Sequence, residues 1–185
     1  MVEFAGWEMP VQYEGVIEEH HAVRKAVGLF DVSHMGQIRV SGAGAEGFLQ
    51  RNTPNNVARL KVGRAHYSGL MTVAGTYLDD ILVYRLGGED FLLVVNAANR
   101  ERCLAALQER AGVGVDITDL SDEYALLAVQ GPKAVDVVAE LSSPAVADLR
   151  YYGFAEGDVL GAPALISRTG YTGEDGFELY VAAVL

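Results

Sequence analysis

The sequence predicts an α+β fold in which antiparallel sheets carry flanking helices. Strand-like alternation recurs at short intervals, as in Phe177-Glu-Leu-Tyr180, where Phe177 and Leu179 point one way and Glu178 and Tyr180 the other. Helical stripes separate the strands, and one strand pair is joined by a tight Gly87-Gly88 turn, a connection that favours antiparallel over doubly wound parallel sheet. Half of the 185 residues are apolar and 21% are charged, the balance of a globular chain able to bury a core.

In chain order, Val16, His20, Val23 and Val27 form a helical stripe. Glu18 and Glu19 lie early in it, Arg24 and Lys25 late, and Gly28 follows as a C-cap. His20 on that stripe reads as a buried structural histidine rather than a ligand. The later part of Leu29-Phe-Asp-Val-Ser-His-Met-Gly-Gln-Ile-Arg-Val40 alternates as a strand that Ser41-Gly42 ends, and a short helix is expected over 43–51. Residues 52–56, Asn-Thr-Pro-Asn-Asn, are loop by composition. Strands follow at 66–71, 78–85 and 91–96. Asn96 can cap the next helix, where Arg100, Leu104, Leu107 and Ala111 share a face and Gly112 closes it. Strands near 114–117 and 124–129 come next, and Gly131-Pro132 places proline in the first turn of a helix ending near Leu141. A glycine-rich turn, Arg168-Thr-Gly-Tyr-Thr-Gly-Glu-Asp-Gly176, then feeds the strand that carries Glu178.

A net charge of −11 argues against nucleic acid and against an anionic membrane surface as partners. The single cysteine, Cys103, excludes an intrachain disulfide framework, fits a reducing compartment, and reads as a small core residue of its helix. No apolar run has transmembrane length and no signal peptide is visible, so a soluble, cytoplasmic protein is expected. Both ends are abrupt, which reads as a fragment of a longer protein.

Several residues can carry chemistry. Strand parity in Leu78-Asp-Asp-Ile-Leu-Val-Tyr84 puts Asp80, Leu82 and Tyr84 on one face and Asp79, Ile81 and Val83 on the other. The two carboxylates therefore diverge and do not form a proton-sharing dyad. Asp80 either walls a polar ligand site or, with Asp79, caps the turn at Gly75-Thr76. Glu178 either faces water or, beside the glycine loop, clamps a flat, donor-rich ligand. Asn96 either reads an amide edge or caps its helix. Ser33-His34 lacks a Gly-x-Ser-x-Gly elbow, so a serine nucleophile has weak support. His20, His21, His34 and His66 form no metal-ligand spacing, and neither a phosphate loop nor a dinucleotide fingerprint is present. No metal is expected.

Six ordered motifs carry a resemblance: Phe4-Ala-Gly-Trp7 with Met9-Pro-Val-Gln-Tyr13, Gly28-Leu-Phe-Asp-Val-Ser-His-Met35, Leu78-Asp-Asp80, Val94-Val-Asn96, Val129-Gln-Gly-Pro132 and Thr169-Gly-Tyr-Thr-Gly-Glu-Asp-Gly176. With them the chain resembles the aminomethyltransferase (T-protein) family of the glycine cleavage system, over roughly the N-terminal half of a family member. The resemblance implies a folate-binding domain over 1–185, incomplete at both ends. It also implies a transferase of glycine catabolism and one-carbon metabolism. Such an enzyme moves the methylene carbon of an aminomethyl group from the dihydrolipoyl arm of H-protein to tetrahydrofolate and releases ammonia. By the same resemblance Asp80 matches the essential aspartate beside the folate nitrogens, and Glu178 the glutamate that grips the pterin edge. Tyr67, Tyr84, Asn96, Tyr171 and Met35 match pocket-lining positions, where aromatic rings and a thioether suit a stacked pterin.

The family's C-terminal half, which supplies arginines to the folate tail, is absent here. With 14 basic residues against 25 acidic ones, this chain by itself is expected to bind folate weakly or not at all. Two alternatives keep a related fold. A folate-dependent demethylase or sarcosine-type dehydrogenase keeps a Gly-Tyr-Thr-Gly-Glu turn, but a dehydrogenase would carry a flavin domain upstream. A non-enzymatic folate-binding factor would need a Lys-Gly-Cys motif, whereas Cys103 lies in Arg102-Cys-Leu104.

Overall fold

Alternating strands set the architecture, and the helices serve to cover sheet faces. The computed structural model describes residues 1–143 and 146–183. The chain divides into two compact units, Met1–His34 with Glu123–Leu185, and Met35–Asp122.

The first unit opens on a two-stranded ribbon, β1 (Val2–Phe4) and β2 (Trp7–Met9), turned at Ala5 and Gly6, both at positive φ. Helix α1 (Val16–Lys25) follows. Its N-terminus is held by Glu19, whose Oε1 accepts the backbone N–H groups of Tyr13, Glu14 and Gly15 at 2.7, 2.8 and 3.0 Å. Those donors, Gly15 foremost, hold the Glu19 carboxyl below its ordinary pKa. Strand β3 (Gly28–Asp31) completes this segment.

The second unit holds β4 (Gly36–Ser41), α2 (Ala45–Asn52), β5 (Arg64–Met71), β6 (Tyr77–Gly87), β7 (Asp90–Val95), α3 (Arg100–Arg110) and β8 (Asp116–Asp119). Its five strands form an antiparallel sheet in the order β5-β6-β7-β4-β8. One sheet face, with Ile38, Val40, Ile81, Val83 and Leu93, packs against Phe48 and Leu49 of α2 and Cys103 and Leu107 of α3. Burying a side chain of this size stabilises by about 1.5–3 kcal/mol, so this face holds the unit together.

The chain then returns to the first unit with β9 (Tyr124–Gln130), α4 (Ala134–Leu141), β10 (Ser142–Ser143), β11 (Phe154–Val159), β12 (Ala162–Ser167) and β13 (Gly176–Ala182). These strands and β3 make an antiparallel sheet in the order β10-β11-β12-β13-β9-β3. Ala134 and Val138 of α4 pack on Val129, Ile166, Phe177 and Leu179. The α+β class with antiparallel sheets and flanking helices is what the sequence predicts.

Several local expectations are corrected. No residue of α1 is buried and His20 is exposed, because the helix packs on too little of the unit to cover its stripe. Gly28 is no C-cap: α1 stops at Lys25, and Gly28 begins β3 opposite Gln130. The strand expected at 114–117 runs two residues later, because Gly114 is held in a turn at φ 82. Pro132 precedes α4 rather than lying in its first turn, since Gly131 at φ 135 closes against the carbonyls of Ala26 and Val23. Strands β10 to β12 occupy a stretch for which the sequence suggested no element. Leu160 and Gly161, at φ 53 and 83, turn β11 into β12. No described helix is long and apolar enough to cross a membrane.

Candidate functional site

In the second unit, three of the expected site residues meet directly. Tyr67 on β5 and Asp80 on β6 are diagonal neighbours, since Gly69 pairs with Asp80 and Tyr67 with Leu82. The Tyr67 hydroxyl donates to Asp80 Oδ2 at 2.8 Å. That bond, followed by burial and the nearby Asp80 charge, raises the phenol pKa. From the end of β7, Asn96 Nδ2 donates to Asp80 Oδ1 at 3.0 Å and to the Asp80 carbonyl at 3.1 Å. Each carboxylate oxygen has one lone pair engaged and another open to a ligand N–H.

Asp79 and Asp80 do not cap the Gly75-Thr76 turn. Thr72 and Thr76 close it themselves, with hydroxyls 2.8 Å apart and Gly75 at φ 79. Nor does Asn96 cap a helix with its side chain; that side chain is spent on the two aspartates. The carboxylates share this one amide group. Tyr84 lies two residues along β6 from Leu82 and is fully buried. Met35 immediately precedes Gly36, which pairs with Val95, so the register brings it to the Asn96 end of β7.

In the first unit Glu178 is buried, only 5% exposed, so it does not face water. Burying a carboxylate costs several kcal/mol unless donors surround it. One donor is the hydroxyl of Thr169, which lies 3.0 Å from Ser167 Oγ. The glycine turn between Thr169 and Glu178 is organised by Gln130, a buried amide that the sequence reading gave no role. Gln130 Nε2 donates to the carbonyls of Thr169 and Phe177, and its Oε1 accepts from Thr172 Oγ1 at 3.0 Å. A Cβ on Gly170 would lie 1.9 Å from Gln130 Oε1, so this glycine is required by close approach. Arg168 spans the turn to Asp175, with Nε 2.9 Å from Oδ1, and this pairing holds the Asp175 carboxyl below its usual range. Tyr171 stands at the tip of the turn, 62% exposed.

Ser33 and His34 do not form a nucleophile–base pair. Ser33 Oγ accepts the backbone N–H of Leu126 at 3.0 Å and so pins β3 to β9. Two surface clefts of the first unit, of about 380 and 470 Å³, are lined respectively around Arg168 and Tyr151, and around Val16 and Phe30. Neither is lined by Glu178. Among the described residues no group of His, Cys, Asp and Glu is arranged to hold a metal ion.

The sequence reading named Asp80, Tyr67, Asn96 and Glu178 as candidates but gave no role to residues that the structure ties to them or to their turn: Asp79 as an acceptor, Asn99, Thr169 and Gln130. A polar residue at the end of an otherwise apolar strand, as in Leu126-Leu-Ala-Val-Gln130, was the signal available for Gln130.

The chain is 52% identical over 183 residues to an aminomethyltransferase of Geobacillus kaustophilus, and 49% identical over 181 residues to one of Exiguobacterium sibiricum. Each alignment takes in 98% of this chain and 50% of the relative, so the chain spans about half the length of the curated proteins it matches. The crystal structure of glycine cleavage system aminomethyltransferase T from Bartonella henselae superposes with a TM-score of 0.89 at 40% identity, over 98% of this chain and 49% of that one. A heterotetrameric sarcosine oxidase from Corynebacterium sp. U-96 shares the fold, with a TM-score of 0.65 at 19% identity, over 90% of this chain and 82% of that one. The family model described as the GCVT N-terminal domain matches residues 1–184, and the chain belongs to that family.

Proposed function

We propose that the full-length protein carrying this chain is the aminomethyltransferase of a glycine cleavage system. Its donor is the aminomethyl-dihydrolipoyl arm of H-protein and its acceptor is tetrahydrofolate. The methylene carbon leaves nitrogen and sulfur and joins two folate nitrogens; their two protons end on the released ammonia and on the dihydrolipoyl thiol. The observation that carries this reading is the Asp80 carboxylate, steadied by Tyr67 and Asn96 with acceptor capacity to spare.

Tetrahydrofolate, when bound, supplies the nucleophilic nitrogens. The chain's own groups fit a ligand rich in N–H donors. Asp80 accepts a hydrogen bond from an attacking amine and offsets the positive charge growing on it. Glu178, buried beside Thr169, accepts from the pterin edge. Tyr171 and Met35 contribute stacking surface, whereas Tyr84, fully buried, offers no exposed ring face. In this reading residues 1–185 form a folate-binding domain whose tail-binding charges come from elsewhere in the full-length protein. The single free cysteine, Cys103, supports a reducing, cytoplasmic location.

A coupled assay with aminomethylated H-protein and tetrahydrofolate tests the proposal. Ammonia release that requires both substrates supports it; release without either, or none at all, rejects it. Calorimetric titration with tetrahydrofolate should give measurable affinity for the full-length protein and weak or no binding for residues 1–185, and equal affinities would contradict the assigned tail contacts.

A further inference from the structure

Asp79 is a buried carboxylate, 4% exposed, next in sequence to Asp80. Its Oδ2 accepts the backbone N–H of Asn96 at 2.7 Å. Its Oδ1 accepts from Asn96 Nδ2 at 3.0 Å and from Asn99 Nδ2 at 2.7 Å. Burial raises the pKa of the Cys103 thiol of α3, and the Asp79 charge acts on it in the same direction. Strand β6 runs on through Ile81 and Val83, which face the core beside Asp79, and an apolar residue would fill that place at lower desolvation cost.

The arrangement fixes more than a strand end. An ionised carboxylate only accepts, so Asn96 must turn its NH₂ toward Asp79. The same NH₂ meets Asp80 Oδ1 and the Asp80 carbonyl, so the amide cannot flip without losing three contacts. With both backbone and side chain of Asn96 anchored, the amide stands as a fixed donor to Asp80, and its Oδ1 is directed away from the two aspartates. We propose that Asp79 is a positioning residue for the transfer reaction: held by Asn99, it locks Asn96, and through Asn96 it sets the direction of the Asp80 carboxylate. This rests on the aminomethyltransferase reading.

The test uses the full-length protein with Asp79→Asn and Asn99→Ala. Tyrosine labelled with ¹³C lets NMR follow the Tyr67 phenol, whose titration reports the hydrogen bond to Asp80. In Asp79→Asn the phenol should titrate closer to an ordinary tyrosine, and kcat should fall about 10²-fold with KM for tetrahydrofolate little changed. Asn99→Ala keeps the Asp79 charge, so a downward shift of Tyr67 there reports movement of Asp80 rather than lost repulsion; kcat should fall about tenfold. An unmoved Tyr67 titration with kcat within about twofold, in a variant that retains the native circular dichroism spectrum, overturns the proposal. If Asp79→Asn does not fold, Asn99→Ala decides by the same readings. Absence of transfer by the unaltered protein would remove the functional reading, while the Tyr67 titrations would still show whether Asp79 orients Asp80.

Discussion

Tyr67 reaches diagonally across the β5–β6 pair to place its hydroxyl 2.8 Å from Asp80 Oδ2. The residue is 49% exposed and Tyr67→Phe keeps its ring, so the change subtracts little from the core. Tyr67→Phe should therefore leave the unfolding midpoint nearly unchanged. It should slow ammonia release by about 10- to 100-fold, the range expected for a hydrogen bond to a charged group. Single-turnover kinetics measure this, and an unaltered rate would separate Tyr67 from the chemistry.

The glycine turn makes a packing prediction. Gly170→Ala drives a methyl into Gln130 Oε1, an atom also bound to Thr172. Overpacking of this kind costs about 1–3 kcal/mol. Urea unfolding should show that loss, and Gly170→Ala combined with Gln130→Ala should lose less than the sum of the two single changes. Simple additivity would mean the amide yields freely.

The pair Arg168–Asp175 predicts a pH dependence. Asp175 has a folded pKa below its unfolded value, chiefly through the Arg168 hydrogen bond. Its contribution is thus complete above the unfolded pKa of about 3.9 and disappears as pH falls through the lower folded value. The Asp175 side chain is 40% exposed, so solvent screening keeps the gain to about 1 kcal/mol or less. Melting curves of Asp175→Asn should lie below those of the unaltered chain at neutral pH and converge with them toward pH 2. A constant gap across that range would contradict this assignment.

Burial pushes the Cys103 thiol up to about 12, helped by the Asp79 charge. Thiolate is the reactive form, so at pH 7–8 a disulfide reagent should modify the native protein far more slowly than the same protein in guanidinium. Rapid native-state modification would show that α3 opens readily.

Strand parity in the sequence was enough to put Asp79 on the face of Ile81 and Val83 and to set Phe177 and Leu179 against Glu178 and Tyr180. Its expectation that the two carboxylates diverge is corrected, since both turn to the one Asn96 amide. Period-2 patterning is local, and the core simply follows it. Burial of Glu178 was not legible, because polar-out alternation looks the same whether the outer face meets water or protein. The bridging role of Asn96 depends on two strands meeting, a nonlocal fact that its capping propensity concealed. His20 failed for the converse reason: an apolar stripe states what a helix can bury, not how much surface is offered to it. Strands β11 and β12 were hidden by Gly157, Gly161 and Pro163, breakers by composition that the hairpin tolerates.

Neighbouring strands β3 and β9 bracket the whole of the second unit in the chain. Translation therefore delivers every strand of the inserted unit before β3 has a partner. The inserted unit can reach its native state on the ribosome, while Leu29 and Phe30 wait on an unpaired edge, the kind of segment chaperones shield. Synonymous slowing of translation just before Tyr124 should lengthen that wait and lower soluble yield, with no change in the finished protein.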